Sequence, residues 1–93
     1  MARTIRTIVE NYSVSEVIDA GQDIYPRLED AIDALKWWLS RGPESGEIID
    51  DVNWLYVQSG DEDANIPYLV VVYTFDTREV TLKHMQLKSP SIK

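Results

Sequence analysis

Apolar positions fall into two periods along this chain. Residues 4–10 alternate, with Ile5 and Val9 on one side and Arg6 and Ile8 on the other, the period of a first strand. Ser13-Val14-Ser15-Glu16 follows. Serine three residues ahead of glutamate is the spacing of a capping box, in which the hydroxyl accepts a backbone N–H and the carboxylate reaches back. A short helix is therefore expected through Val17 and Ile18, stopping at Gly21, which tolerates a left-handed C-terminal conformation. The main helix is expected to begin near Tyr25 or Pro26, because a proline in the first turn forfeits no hydrogen bond. From there Leu28, Ala31, Ile32, Leu35, Trp38 and Leu39 recur at steps of three and four and form one apolar stripe. Glu29, Asp30, Asp33 and Lys36 lie opposite, and Gly42-Pro43 ends the helix.

Period 2 then returns. Residues 43–51 read as a loop, and residues 52–58 as a strand rich in aromatic and branched side chains. Residues 59–65, SGDEDAN, are a polar connection. Residues 68–75 are apolar on both parities, as expected of a central strand covered over part of both faces. Asp76-Thr77-Arg78-Glu79 reads as a hairpin turn, residues 80–87 as the returning strand, and residues 89–93 as a tail that leaves the sheet. The order β-α-α-β-β-β describes a single α+β domain over residues 1–93, with one layer of helices on one face of a mostly antiparallel sheet.

Composition narrows the function classes. With 93 residues, 44% hydrophobic and 27% charged, the chain is expected to be a small cytoplasmic protein. No apolar run approaches the roughly 20 residues of a membrane span, so no membrane partner is expected. The absence of cysteine removes disulfides and thiol chemistry, and no motif calls for a cofactor. Net charge is −7, concentrated in residues 10–63, where fourteen acidic residues against three basic ones give −11. The ends are mildly basic, through Arg3 and Arg6 on one side and Arg78, Lys83, Lys88 and Lys93 on the other. Such a balance argues against nucleic acid as a partner, because that affinity comes mainly from neutralising phosphates.

The candidates for chemistry are few. A turn centred on Thr77 and Arg78 sets Val71 opposite His84 and Val72 opposite Lys83. His84, the single histidine, then shares the helix-covered side with Leu82, while Lys83 points the other way and Arg78 sits in the turn. With Lys88, these are the available catalytic groups, and this register keeps them from converging. The serines occupy caps, loops and the tail, without the strand-turn-helix elbow of a hydrolase. Asp61-Glu62-Asp63-Ala64-Asn65 opens like a calcium loop, but Ile66 replaces the required glycine and Val72 the bidentate glutamate, so no metal is expected. Trp38 is expected in the core. Trp37, about 100° away on the helix, is expected to join Trp54 in an exposed apolar patch for a protein partner.

The segments WWLSRGP, LVVVYTFD and EVTLKH, in the order strand, two helices and three strands, resemble the RelE/ParE toxin superfamily over roughly residues 4–87. Those proteins are the toxin halves of bacterial toxin–antitoxin pairs. The resemblance implies that fold, an antitoxin-like partner or self-association, and, in the RelE branch, mRNA cleavage. RelE-like ribonucleases are strongly basic and carry a basic residue shortly before the position of Tyr73, where this chain has Leu69 and Val70. They also place basic or aromatic catalytic residues after the final strand, where this chain has Lys88 and then Ser-Pro-Ser. The expectation is a toxin-like protein that acts by protein–protein binding. Two alternatives are a small ribonuclease using Lys83, Lys88, Arg78 and His84, and a stand-alone interaction or oligomerisation module.

Overall fold

The structure is a computed structural model that describes residues 5–90. Arg3, Lys93, the first residue of the expected opening strand and the end of the expected tail lie outside the described residues. Five strands form one sheet: β1 (Thr7–Glu10), β2 (Glu47–Ile48), β3 (Trp54–Gln58), β4 (Tyr68–Phe75) and β5 (Glu79–Lys88). Their order across the sheet is β1-β5-β4-β3-β2, with β1 parallel to β5 and every other pair antiparallel. Helices α1 (Tyr12–Gln22) and α2 (Leu28–Arg41) lie between β1 and β2 in the chain. The fold is α+β, with β2 an extra edge strand inside the stretch expected to be a loop.

Helix α1 is capped two residues earlier than its serine motif suggests. Asn11 is the N-cap, and its side-chain oxygen accepts from the Val14 N–H at 3.3 Å. Asparagine caps as well as serine does, and here it follows β1 directly, with its own N–H donating to the Leu82 carbonyl at 3.1 Å. Ser13 is thereby drawn into the first turn, its hydroxyl 2.8 Å from Asn11 Oδ1 and 3.1 Å from the Lys83 carbonyl. Gly21 is not a left-handed cap either. It lies buried inside α1, where a Cβ would overlap the Leu87 side chain and come within 2.7 Å of Leu28 Cδ2. Close packing, not φ, requires glycine there.

In α2 the buried stripe is Leu28, Ala31, Ile32, Leu35 and Leu39, as the periodicity predicts, but the helix starts at Leu28 and Trp38 is left out of the core. Trp38 is 55% exposed, while Ser40, on the opposite border of the stripe, is 6% exposed. The Ser40 hydroxyl donates to the Trp37 carbonyl at 2.9 Å, so the small residue is buried without an unmet polar group. The large indole stays at the edge.

Leu69, Val71 and Tyr73 of β4 and Val80, Leu82 and Met85 of β5 meet this stripe and Val14 and Ile18 of α1, forming the core. Tyr73 is wholly buried, and its hydroxyl donates to the carbonyl of Pro43, at the start of a short 3-10 turn (Pro43–Ser45). Burial pushes its phenol up to about 12. The turn before β3 is held by Asp50, whose Oδ1 accepts the N–H groups of Val52 and Asn53, each at 2.9 Å. Val52 and Asn53, expected in the strand, are therefore spent on the turn.

The β4–β5 register follows the expected pairing only at its turn end, with Phe75 opposite Val80 and Tyr73 opposite Leu82. Beyond a bulge it shifts by one, so that Val72 faces His84 and Val71 faces Met85. The physical cause is the core. A regular strand past Leu82 puts His84 and Gln86 under the helices, whereas one extra residue, Lys83, restores Met85 and Leu87 to that side.

Candidate interaction surface

The bulge corrects the expected placement of His84. Its neighbour Met85 is buried beneath the helices while His84 is exposed, so His84 turns to the face away from them. Lys83, next to inward-facing Leu82, lies on that same outer face. The two side chains expected on opposite faces thus share one. Lys83 reaches across β4, and its Nζ donates to Asn53 Oδ1 at 2.7 Å. Asn53 Nδ2 in turn donates to Asp50 Oδ2 at 2.9 Å. That amide first, and then the Val52 and Asn53 N–H groups, hold the Asp50 carboxyl below its ordinary value.

Arg78 and Lys88 do not join this group. Arg78 lies in the exposed turn, where its N–H donates to Asp76 Oδ1 at 2.7 Å and its carbonyl accepts the Thr7 N–H at 2.9 Å. Lys88 is the last residue of β5, opposite Tyr68. Ten residues of extended chain separate them, roughly 30 Å at about 3.3 Å per residue. A phosphate cannot span that distance, and the Lys83 ammonium is already engaged by a neutral amide.

The expected pairing of Trp37 with Trp54 does not form. Trp54 lies on the helix-facing side of β3, packed against the core, with its ring 5.2 Å from that of Phe75. Trp37 occupies the solvent side of α2 and is 50% exposed. Its neighbour is Trp38, ring centroids 5.1 Å apart and nearly perpendicular at 85°, the edge-to-face arrangement favoured by aromatic quadrupoles. The Arg41 guanidinium stacks on Trp37, with Cζ 4.2 Å from the ring centroid, and Nη1 donates to the Trp37 carbonyl at 3.3 Å.

Two adjacent indoles, each half in water, Trp37 held by Arg41 and Trp38 set edge-on against it, form a ridge along the last turns of α2. Tryptophan and arginine are the residue types that most often carry the energy of protein interfaces, and held rings lose little rotamer freedom on binding. The step of one residue from Trp37 to Trp38 signals such a ridge in the sequence. Both cannot fit a stripe that Leu35 and Leu39 already fill.

In the SGDEDAN connection the Asp61 carboxylate is used locally. Asp61 pairs with Ile66 as an isolated bridge, and its Oδ1 accepts the N–H groups of Asp63 at 3.0 Å and Ala64 at 3.3 Å. Among the described residues, no helix is long and apolar enough to cross a membrane. In comparisons with known proteins, no family model, no curated protein and no solved structure matches the chain.

Proposed function

We propose that this chain is a RelE/ParE toxin-like protein that acts by binding another protein rather than by cleaving RNA. The observation that carries the binding reading is the ridge of Trp37 and Trp38 on α2, with Arg41 stacked against it. The resemblance is supported by the element order, a strand and two helices followed by the three longer strands β3, β4 and β5, with the two-residue β2 as an addition. Binding over cleavage is supported by the separation of Arg78 from Lys88 and by the engagement of Lys83 with Asn53.

The test is induced expression in a bacterial host, with growth and the integrity of ribosome-bound mRNA followed together. Growth arrest with intact mRNA is expected, relieved by Trp37→Ala with Trp38→Ala and kept by Lys83→Ala with His84→Ala. One observation favours the ribonuclease as a second reading: the bulge sets Lys83 and His84 on the same face. Message cleavage that disappears in the Lys83/His84 variant would establish it. A strain that grows normally would remove both toxin readings and leave an interaction module.

A further inference from the structure

The helix layer has one dominant charge. Glu16 and Asp19 of α1, Asp23 after it, and Glu29, Asp30 and Asp33 of α2 are all exposed. Lys36 pairs with Glu10 and Arg27 lies 3.4 Å from Asp30, while Arg41 keeps its charge where it stacks on Trp37. Against that one cation stand Glu16, Asp19, Asp23, Glu29 and Asp33, so the layer stays net negative. Asp33 and Asp30 precede Trp37 by four and seven residues, so the solvent stripe that ends in two indoles begins in two carboxylates.

We propose that the occupant of this ridge is a cationic segment of a partner protein. An apolar side chain of that segment seats on Trp37 and Trp38, and its lysines or arginines meet Asp30 and Asp33. The inference rests on the protein-binding reading and names the partner's chemistry. A second copy of this chain does not meet the requirement. Two half-exposed indoles offer roughly 250 Å², a small part of the about 800 Å² per partner in a stable dimer, and the rest of such a contact would set one net negative helix layer against another. Phosphate-bearing surfaces, whether nucleic acid or anionic lipid, are repelled by the same field. A cationic segment uses both halves of the stripe. From Asp30 to Arg41 the stripe is roughly 17 Å long at 1.5 Å per residue, which three turns of helix or a shorter extended segment can cover.

Two synthetic probes test this: a lysine–leucine peptide of about 12–15 residues with one leucine face, and the same peptide with glutamate for every lysine. Binding to the whole chain is followed by calorimetry and by the indole N–H resonances. The lysine peptide is expected to bind and to shift Trp37 and Trp38 while leaving Trp54 in place. Asp30→Asn with Asp33→Asn is expected to weaken it at least about fivefold. Trp37→Ala with Trp38→Ala, which leaves the charge unchanged, is expected to abolish it, and the double Phe variant to recover most of it. An amide spectrum unchanged from the parent confirms that each variant is folded.

Equal binding of the glutamate peptide, or lysine-peptide binding indifferent to the Trp variant, would overturn the proposal. The two readings fail separately. If the Trp variant relieves growth arrest but the lysine peptide does not bind, the partner's chemistry is wrong and the binding reading stands. If the peptide binds the ridge but arrest persists in the Trp variant, the ridge is not the surface through which the chain arrests growth, and the ridge's chemistry stands.

Discussion

Tyr73 has no surface in contact with water, yet it carries a hydroxyl into the core. Donation to the Pro43 carbonyl resolves that conflict and ties the central strand to the end of α2. Tyr73→Phe leaves the carbonyl buried without its donor, so a loss of about 1–3 kcal/mol is expected in urea unfolding, and a variant as stable as the parent would show that the bond contributes nothing. Gly46 lies against the same hydroxyl, where a Cβ would also come within 2.6 Å of the Leu55 carbonyl. Gly21 is constrained by side chains instead. Gly21→Ala gains up to about 1 kcal/mol of helix propensity but must displace Leu28, which is fully buried, so a net loss of about 1–2 kcal/mol is expected. A net gain would mean that Leu28 has room to move. Such contacts are invisible in the sequence, where Gly21 reads equally well as a cap, because the neighbours that exclude a side chain come from α2 and β5.

At the scale of elements, the two helices and the three longer strands are all legible as apolar periods. The two-residue strand β2 is not, since two residues display no period, and the parallel pairing of β1 with β5 rests on how the chain turns at Asn11. The bulge is different, because its signal is present. On β5 the inward residues are Val80 and Leu82 and then Met85 and Leu87, a change of parity, while on β4 Leu69, Val71 and Tyr73 keep theirs. Val70 and Val72 mask the contrast by making β4 apolar on both faces. The candidate site follows the same pattern. Trp37 was readable as exposed, whereas Trp54 and Trp38 exchange places because the competition for core volume is settled by leucines. The bulge yields a deletion test. Removing Lys83 leaves regular alternation, with Leu82, Met85 and Leu87 still inward, and costs the bond to Asn53. The fold is expected to survive with a loss of about 0.5–1.5 kcal/mol. Removing Gln86 turns Leu87 outward and Lys88 inward and is expected to cost several times more. Equal losses from the two deletions, measured by urea unfolding, would contradict this account of the register.

For the whole molecule, two electrostatic effects oppose each other as pH falls. At pH 7 the net charge of −7 works against the compact state, and sodium chloride should relieve that repulsion. Against this stand carboxylates that prefer to be ionised in the folded protein. Glu10 is held below its ordinary 4.5 chiefly by a hydrogen bond from Lys36, with Ser15 adding to it and partial burial opposing. Asp50 and Asp76 are held below 3.8, Asp50 by the Asn53 amide first and Asp76 by the N–H groups of Arg78 and Glu79. Because each folded value lies below the unfolded one, their contribution is complete above the ordinary value and is lost as pH falls through the folded one. The urea midpoint is therefore expected to rise with added salt at pH 7 and to fall on acidification below about 4.5. Glu10→Gln separates the contributions. The Glu10–Lys36 pair is partly exposed, so the substitution is expected to cost no more than about 1 kcal/mol at pH 7. It should also flatten the first part of the acid decline, leaving the later part, which belongs to the two aspartates, in place. A midpoint that falls with salt at pH 7 would mean that attractive pairs outweigh the acidic repulsion. The helix layer would then lack the unbalanced field on which recognition of a cationic partner depends.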